Sequence, residues 1–265
     1  NLLTMKISIV TISFNQAGFL RDCIESVLNQ KGADFEYIVV DPGSTDGSRE
    51  IIDQYKDRLT RVYEPDQGPS DGLNNGFSKA TGEIYGFINA DDYLLPGALE
   101  TIARFYERND DSVFVSGSGI KSFEGGRDVR TQPSKLSVYR YLIGACSIFQ
   151  QGTFFTAKMF RAVGGFNTEN RSWWDGELFL RFLQAGFKHQ TIEDRLAVFR
   201  VYPDLITGSG EWEGRKAAEK AAEFEKAYGR CLARRDQIAS FVLRKTRKYL
   251  RSFKGRLGGA SPVKR

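Results

Sequence analysis

The chain has 265 residues, 41% of them hydrophobic and 27% charged, the composition of a soluble globular enzyme with enough apolar material for a full core. No run of about 18 apolar residues reads as a membrane span, no leader precedes the first predicted strand, and three unpaired, widely spaced cysteines (Cys23, Cys146, Cys231) read as reduced structural thiols of a cytosolic protein. The net charge of +5 conceals an asymmetry: residues 215–265 carry 16 Lys/Arg against 4 Asp/Glu, a balance of +12, which leaves residues 1–214 at −7.

A β-branched run over residues 6–13 predicts a buried strand. Phe19, Leu20, Ile24, Val27 and Leu28 then recur at helical spacing over residues 17–30, with Gly32 just beyond. Residues 35–40 predict a second strand that ends at Asp41-Pro42-Gly43-Ser44, and Asp46 is placed to cap a helix over 48–56. A short strand over 61–64, a helix over 72–80, a strand over 84–88 and a helix over 96–108 follow. Strands alternating with helices imply a mostly parallel sheet, in which ligands sit beyond the carboxyl ends of the strands. Residues 11–15, 41–44, 64–68 and 89–92 all lie at such ends and are expected to converge on one cleft. Farther on, strands are expected over 113–120, 152–156 and 195–201, a helix over 175–185, and basic helices over 214–257.

The most pointed signal is Ile84-Tyr85-Gly86-Phe87-Ile88-Asn89-Ala90-Asp91-Asp92, an apolar strand ending in two adjacent carboxylates. Unpaired charges at the end of a buried strand need compensation. Hard divalent cations that bridge phosphates supply it, which points to an enzyme acting on a nucleotide diphosphate.

These segments, taken in order, resemble family 2 of the inverting glycosyltransferases, the large family with the GT-A fold. The resemblance runs through Ser8–Asn15, Val39–Ser48, Glu64-Pro65-Asp66-Gln67-Gly68, Asn74-Asn75-Gly76, Thr81-Gly82-Glu83, Asn89-Ala90-Asp91-Asp92, and Gly164-Gly165-Phe166 ahead of Trp173-Trp174-Asp175. It implies a Rossmann-like, mostly parallel sheet flanked by helices over residues 5–213, with a basic helical extension over 214–257 and a flexible tail over 258–265.

The resemblance also implies roles. Asp41 receives the imide N–H of a pyrimidine base, which suits an acceptor-only side chain. Thr11 and Ser13 lie beside the same base, mostly through backbone contacts, or else bond locally. Asp66, Gly68, Asp71 and Asn74 form a polar segment for the nucleotide sugar; Asp71 touches ribose or sugar hydroxyls, or caps the helix. Asp92 binds Mn²⁺ or Mg²⁺ directly, and Asp91 reaches ribose or metal. Asp175 is the catalytic base that accepts the proton of the acceptor hydroxyl in a single displacement, with Glu177 as its understudy; Asp175 is equally placed as an N-cap. Trp173 and Trp174 are candidates for stacking on an acceptor sugar, one at the acceptor site and one packed.

Departures from the family pattern are visible. Leu73 stands where many relatives have a basic residue, Trp174 where many have a Glu, and the stretch Phe199-Arg200-Val201-Tyr202 offers no metal-binding His. The sole histidine, His189, is expected on an edge segment in a structural role.

The expected reaction is inverting, metal-dependent transfer from a nucleoside diphosphate sugar, UDP-linked, to a glycan or lipid-linked saccharide in bacterial surface polysaccharide or lipopolysaccharide assembly. A sugar nucleotidyltransferase would need a Gly-rich basic loop after the first strand, and residues 11–20 hold only Gly18 and no basic residue. A binding module without turnover would not need Asp91, Asp92 and Asp175 together. In residues 238–257, Ile238, Phe241, Val242, Tyr249, Leu250, Phe253 and Leu257 alternate with seven Lys/Arg. Such a basic amphipathic helix suits an anionic membrane surface or packs on the catalytic body; no nucleic-acid partner is expected. The implied location is cytoplasmic, peripheral on the inner face of the cytoplasmic membrane.

Overall fold

Alternation along each early strand divides its side chains between two hydrophobic layers. From β1 (Ile7–Ile12), Ile7 and Ile9 enter one layer and Val10 the other; from β2 (Phe35–Val40), Tyr37 and Val39 part from Ile38 and Val40. The computed structural model describes residues 5–203 and 210–257, with side chains described at 5–203 and 213–249. The expected tail over 258–265 and the last third of the basic stretch's side chains lie outside the described residues.

The first layer is covered by α1 (Ala17–Leu28), α2 (Ser48–Asp53) and α4 (Ala98–Tyr106). Helices α3 (Pro69–Ser78), α6 (Ala157–Ala162) and α7 (Trp174–Gln184) cover the second. Each of Leu20, Ile24, Val27, Leu99 and Ile102 is fully buried, a helical period that contributes roughly 1.5–3 kcal/mol per side chain.

One nine-stranded sheet runs in the order β3-β2-β1-β4-β8-β6-β9-β5, with β7 on β6. The half formed by β3 (Thr60–Val62), β2, β1 and β4 (Ile84–Asn89) is parallel, with Ile12 opposite both Val40 and Asn89. That register sets Ser13, Asp41 and the residues after Asn89 side by side at one edge of the sheet. The second half mixes directions: β8 (Thr153–Thr156) is antiparallel to β4 and β6 (Val113–Phe123), β9 (Lys188–Val201) runs parallel to β6, and β5 (Tyr93–Leu94) runs antiparallel to β9.

Three expectations are adjusted. The helix expected from residue 72 begins at Pro69, because proline suits the first turn, where its missing N–H has no partner to lose. Residues 121–151, for which the sequence predicts no element, hold the end of β6, its hairpin partner β7 at Arg127–Thr131, and the short helix α5 (Val138–Leu142). The strand expected over 195–201 begins at Lys188, so His189 lies within it, paired with Phe114 of β6 on the edge segment expected of it, since β5 pairs with β9 at Ala197 and Val198.

The C-terminal helices α8 (Gly210–Tyr228) and α9 (Arg234–Leu257) share the body's packing. Phe224 of α8 is fully buried in the second layer, and Asp236 of α9 accepts hydrogen bonds from Tyr139 and Arg230.

His189 is 2% exposed; its Nδ1 accepts from the Leu136 N–H, so Nε2 carries the proton and donates to Ser116 Oγ. Burial, with Lys135 adding to it, lowers its pKa from 6.5 to about 3. An unfolded chain therefore binds a proton between these values that the folded chain refuses, and stability falls as pH drops below 6.5. Urea unfolding should show wild type losing about 2 kcal/mol more than His189→Asn between pH 7.5 and 5. An equal pH dependence in both would contradict this placement.

Candidate active site

The loops after β1 and β2 hold each other through side chains. Asn15 adopts φ 53°; its N–H donates to Ser44 Oγ at 2.7 Å, and its Oδ1 accepts from Thr45 N–H at 2.9 Å. Gln16 N–H donates to Ser48 Oγ, and Asp46 accepts from Ala17 N–H and from the Ser48 N–H and hydroxyl. Asp46 thus ties the start of α1 to the start of α2, beyond the cap expected of it.

Asp41 follows β2 and has no solvent exposure. Its Oδ1 accepts three bonds, from Gly43 N–H (3.1 Å), Ser44 N–H (2.8 Å) and Arg49 Nε (3.1 Å). Arg49 also donates to the Asp41 carbonyl and lies over the Tyr63 ring. Asp41 Oδ2 has no partner. Among the described residues only four buried side-chain polar atoms are in that condition, and three of them are Ser13 Oγ, Asp41 Oδ2 and Asn89 Oδ1. These follow or end β1, β2 and β4, three adjacent strands. An unpaired buried polar group costs about 1–3 kcal/mol, so three at one sheet edge mark a place shaped for a polar ligand.

Thr11 does not join them. It is fully buried, its Oγ1 accepts from Tyr37 OH at 2.9 Å and meets Cys23 Sγ, and it is paired in β1 with both neighbouring strands. Its hydroxyl is taken up by Tyr37 and Cys23 and its backbone by β2 and β4, so neither is left for a base.

On the β3–α3 side, Gly68 has φ 132°, a conformation that favours glycine, and opens α3. Asp66 Oδ1 accepts from Gly68 N–H, and burial raises the Asp66 pKa. Asp71 accepts from Gln67 N–H, so it shapes this turn. Asn74 is withdrawn from the ligand set: its Nδ2 donates to the Phe166 carbonyl and its Oδ1 accepts from the Phe166 N–H, both at 2.9 Å. It pins the Gly164-Gly165-Phe166 turn to α3.

Asp91 and Asp92 end the β4 segment with different surroundings. Asp92 is fully buried, accepting from Gln151 Nε2 at 2.8 Å through Oδ2 and from Arg200 N–H at 2.9 Å through Oδ1. Burial, with the Asp91 charge pushing the same way, raises its pKa well above the usual carboxylate range. Asp91 is 8% exposed and accepts from Tyr202 OH at 2.9 Å through Oδ2; burial raises its pKa as well. Asp92 is therefore a support fixed at both oxygens, and Asp91 is the carboxylate with capacity to spare.

Sequence reasoning passed over the residues that hold this pair. Arg200 bonds to Asp22 and the Asp91 carbonyl and lies over Phe19 and Tyr93, while Tyr202 stacks on Phe19 at 4.9 Å. The signal was the Phe199–Tyr202 stretch itself, examined only for a histidine. Gln151 and Arg49 gave none.

Among the described residues no three His, Cys, Asp or Glu gather into a cation cage. The donor set still fits a hard divalent ion of the Mg²⁺ or Mn²⁺ type, which needs one or two protein carboxylates when substrate phosphates complete its shell. Asp91 offers such an oxygen, and Asp92 sits behind it.

Across the sheet, Asp175 lies in the first turn of α7, half-buried, and one of its oxygens accepts from the Gly176 N–H. Glu177 is tied up by Asn167 and Asn170 and lies 3.7 Å from Arg181, so it shapes the 167–173 loop and is no substitute base. Trp173 is 2% exposed and rests against Tyr141 and on the backbone of Gly176, where a Cβ would lie 1.8 Å from the indole nitrogen. Trp173 is therefore the packed member of the pair. Trp174 is half-exposed, against Phe87 and Phe166, and remains the aromatic available beside Asp175.

The profile of glycosyl transferase family 2 matches residues 8–164, well over half of the chain. The chain belongs to this family. It is 34% identical over 127 residues to the GalNAc(5)-diNAcBac-PP-undecaprenol beta-1,3-glucosyltransferase of Campylobacter jejuni, a stretch covering 45% of this chain and 40% of that protein. Across two curated relatives matched at 34–38% identity, the chain spans 34–40% of their length. Residues 1–349 of S. aureus TarS in complex with UDP-GlcNAc superpose with a TM-score of 0.66 at 18% identity, covering 91% of this chain and 70% of that one. The mannosyltransferase PcManGT from Pyrobaculum calidifontis, in complex with GDP-Man and Mn²⁺, gives 0.63 at 19% identity, covering 98% and 78%. At these identities the structural likeness establishes the GT-A fold of this family 2 member and leaves its substrates open to argument.

Proposed function

We propose that this family 2 protein transfers a sugar, with inversion, from a nucleoside diphosphate sugar to a glycan or lipid-linked saccharide in bacterial surface polysaccharide assembly. The observation that carries the reading is the row of unpartnered atoms on Ser13, Asp41 and Asn89, with Asp91 beside it. Asp41 Oδ2, an acceptor held rigid by three donors on its sister oxygen, suits the ring N–H of uracil. Guanine presents a similar N–H, whereas adenine and cytosine present a lone pair there, so a UDP-linked donor is assigned first and a GDP-linked one second. The complexes of S. aureus TarS with UDP-GlcNAc and of PcManGT with GDP-Man and Mn²⁺ support both the donor class and a divalent ion.

In this reading Asp91 holds the cation, reversing the expected order of the pair, and Asp92, Arg200 and Tyr202 orient it. When bound, the ion offsets the negative charge that grows on the departing diphosphate. Ser13 and Asn89 bond to the nucleoside, and Gly68 brings the first N–H groups of α3 toward phosphate. Asp175 takes the proton of the acceptor hydroxyl, and Trp174 lies under the acceptor sugar. One carboxylate suffices, since a single inverting displacement needs no covalent nucleophile.

The protein is also assigned to an anionic membrane surface. Helix α9 turns Ala239 and Leu243 to the body, where Arg247 donates to Ser134 and Ser147. Its other face leaves Ile238, Phe241, Val242 and Tyr249 between 52% and 70% exposed, beside Lys245 and Lys248. Apolar anchors flanked by cations match the chemistry of an acidic lipid surface, at about 1 kcal/mol per basic residue near it. Among the described residues no helix is long and apolar enough to cross a membrane. The organisation that follows is a catalytic body over 5–213 completed by the basic helices of 214–257.

Release of nucleoside diphosphate across a panel of nucleotide sugars with Mn²⁺ should identify the donor. With that donor, Asp175→Asn should lower kcat by about 10²–10⁴-fold, and chelation should stop turnover; retained turnover in either case contradicts the corresponding role. Phosphatidylglycerol vesicles should pull down the chain at low salt and phosphatidylcholine vesicles should not, with Phe241→Ser weakening capture. Equal capture by both, or by neither, contradicts the membrane assignment.

A further inference from the structure

Lys220 lies on α8, in the basic extension, yet it reaches the catalytic body beside the base. Its Nζ sits 4.8 Å from the Trp173 ring centre and 5.3 Å from that of Tyr141, two buried rings. Glu219, its neighbour, accepts from Ser172 Oγ at 2.5 Å, so α8 grips the loop that leads into Trp174 and Asp175. The lysine is half-buried, and among the described residues no carboxylate lies within ion-pair distance of it. Ring faces attract a cation but leave its charge unneutralised.

The groups around it are of both signs. Lys216, one turn earlier on α8, repels it, and Asp175 from α7 is the carboxylate that acts on it. Cys146 faces it from the loop after α5, with Arg140 of α5 and Arg247 of α9 acting on the same thiol. Burial and Lys216 together lower the Lys220 pKa to about 8. A half-buried ammonium fixed by two rings, with no carboxylate among the described residues at ion-pair distance, is an arrangement that an anionic ligand would relieve.

We propose that Lys220 is an anion-recognition residue on the acceptor side of the site, its ammonium binding a phosphate or carboxylate group of the acceptor close to the hydroxyl that Asp175 deprotonates. This rests on the reading of Asp175 as the base. It gives the C-terminal extension a part in substrate recognition and makes acceptor charge a determinant of specificity. Binding is strongest where Lys220 is protonated, below about pH 8, and weakens as pH rises through that value.

The test uses the full chain with its lysines ¹³C-methylated. The resonance missing from Lys220→Arg reports the titration of Lys220, recorded alone, with octyl phosphate, and with glucuronate. The account expects the midpoint to rise by at least about half a unit with one of the two probes, an anion stabilising the charged form. A rise with octyl phosphate alone assigns a phosphate-bearing acceptor, and a rise with glucuronate alone a uronic acid. In calorimetry with the effective probe, Lys220→Met should weaken binding on the order of tenfold and Lys220→Arg should largely restore it. A midpoint unmoved by both probes overturns the proposal. If Asp175→Asn retains turnover while the midpoint still moves, the base assignment fails and the anion site stands.

Discussion

Asp41 carries three donors on one oxygen and none on the other, with the whole side chain removed from water. That asymmetry is a constraint on everything around it. An unpaired buried carboxylate oxygen is tolerable only if the surrounding structure over-determines its position, and here the surroundings do. The Asp-Pro-Gly-Ser turn supplies two N–H groups, α2 supplies Arg49, and the β1 loop is tied across by Asn15, Ser44 and Asp46. The parallel register places Ser13 beside Asp41 and Asn89 on the far side of β1, opposite Ile12. The free energy forgone at these atoms in the unliganded protein is recovered when a ligand satisfies them.

The carboxylate pair follows the same logic at one remove. Two adjacent acids at the end of a buried strand repel each other, and the protein resolves this by treating them differently. Asp92 is walled in by Gln151 and the backbone of Arg200, while Asp91 is steadied at one oxygen by Tyr202. Burial pushes Tyr202 up to about 12, with Asp91 adding to it, so the phenol stays protonated and donates. Arg200 links β9 to the α1 side through Asp22, which ties β9, beyond the residues that the family profile matches, to the carboxylate pair.

The parallel half of the sheet was legible because its signals are local: β-branched runs, helical periods, and Asp, Gly or Pro at the strand ends. Asp91 and Asp92 stand out for the same reason, as acids at the end of an apolar run, whereas Asp41 and Asp175 are picked out through the family resemblance. What sequence could not weigh was the direction of a side chain and the identity of distant partners. Thr11 shares a face of β1 with Ser13 but lies two residues earlier, where Tyr37 and Cys23 close on it, Trp173 looks like Trp174 until Gly176 lets its ring lie flat on the helix, and Asn74 is claimed by Phe166 across 92 positions. Arg49, Gln151 and Lys220 carry no motif at all. Their roles exist only after folding brings α2, the 150–152 turn and α8 to the cleft.

The central claim is that Asp41 Oδ2 is built to receive a ring N–H of the donor's base. Calorimetric titration of UDP, ADP and CDP with Mn²⁺ into wild type and Asp41→Asn tests it most directly. The account predicts that UDP binds at least ten times more tightly than ADP or CDP, and that Asp41→Asn removes most of this preference, a loss of about 1.4 kcal/mol or more. Equal affinity of wild type for the three nucleotides, or an undiminished preference in Asp41→Asn, would contradict it.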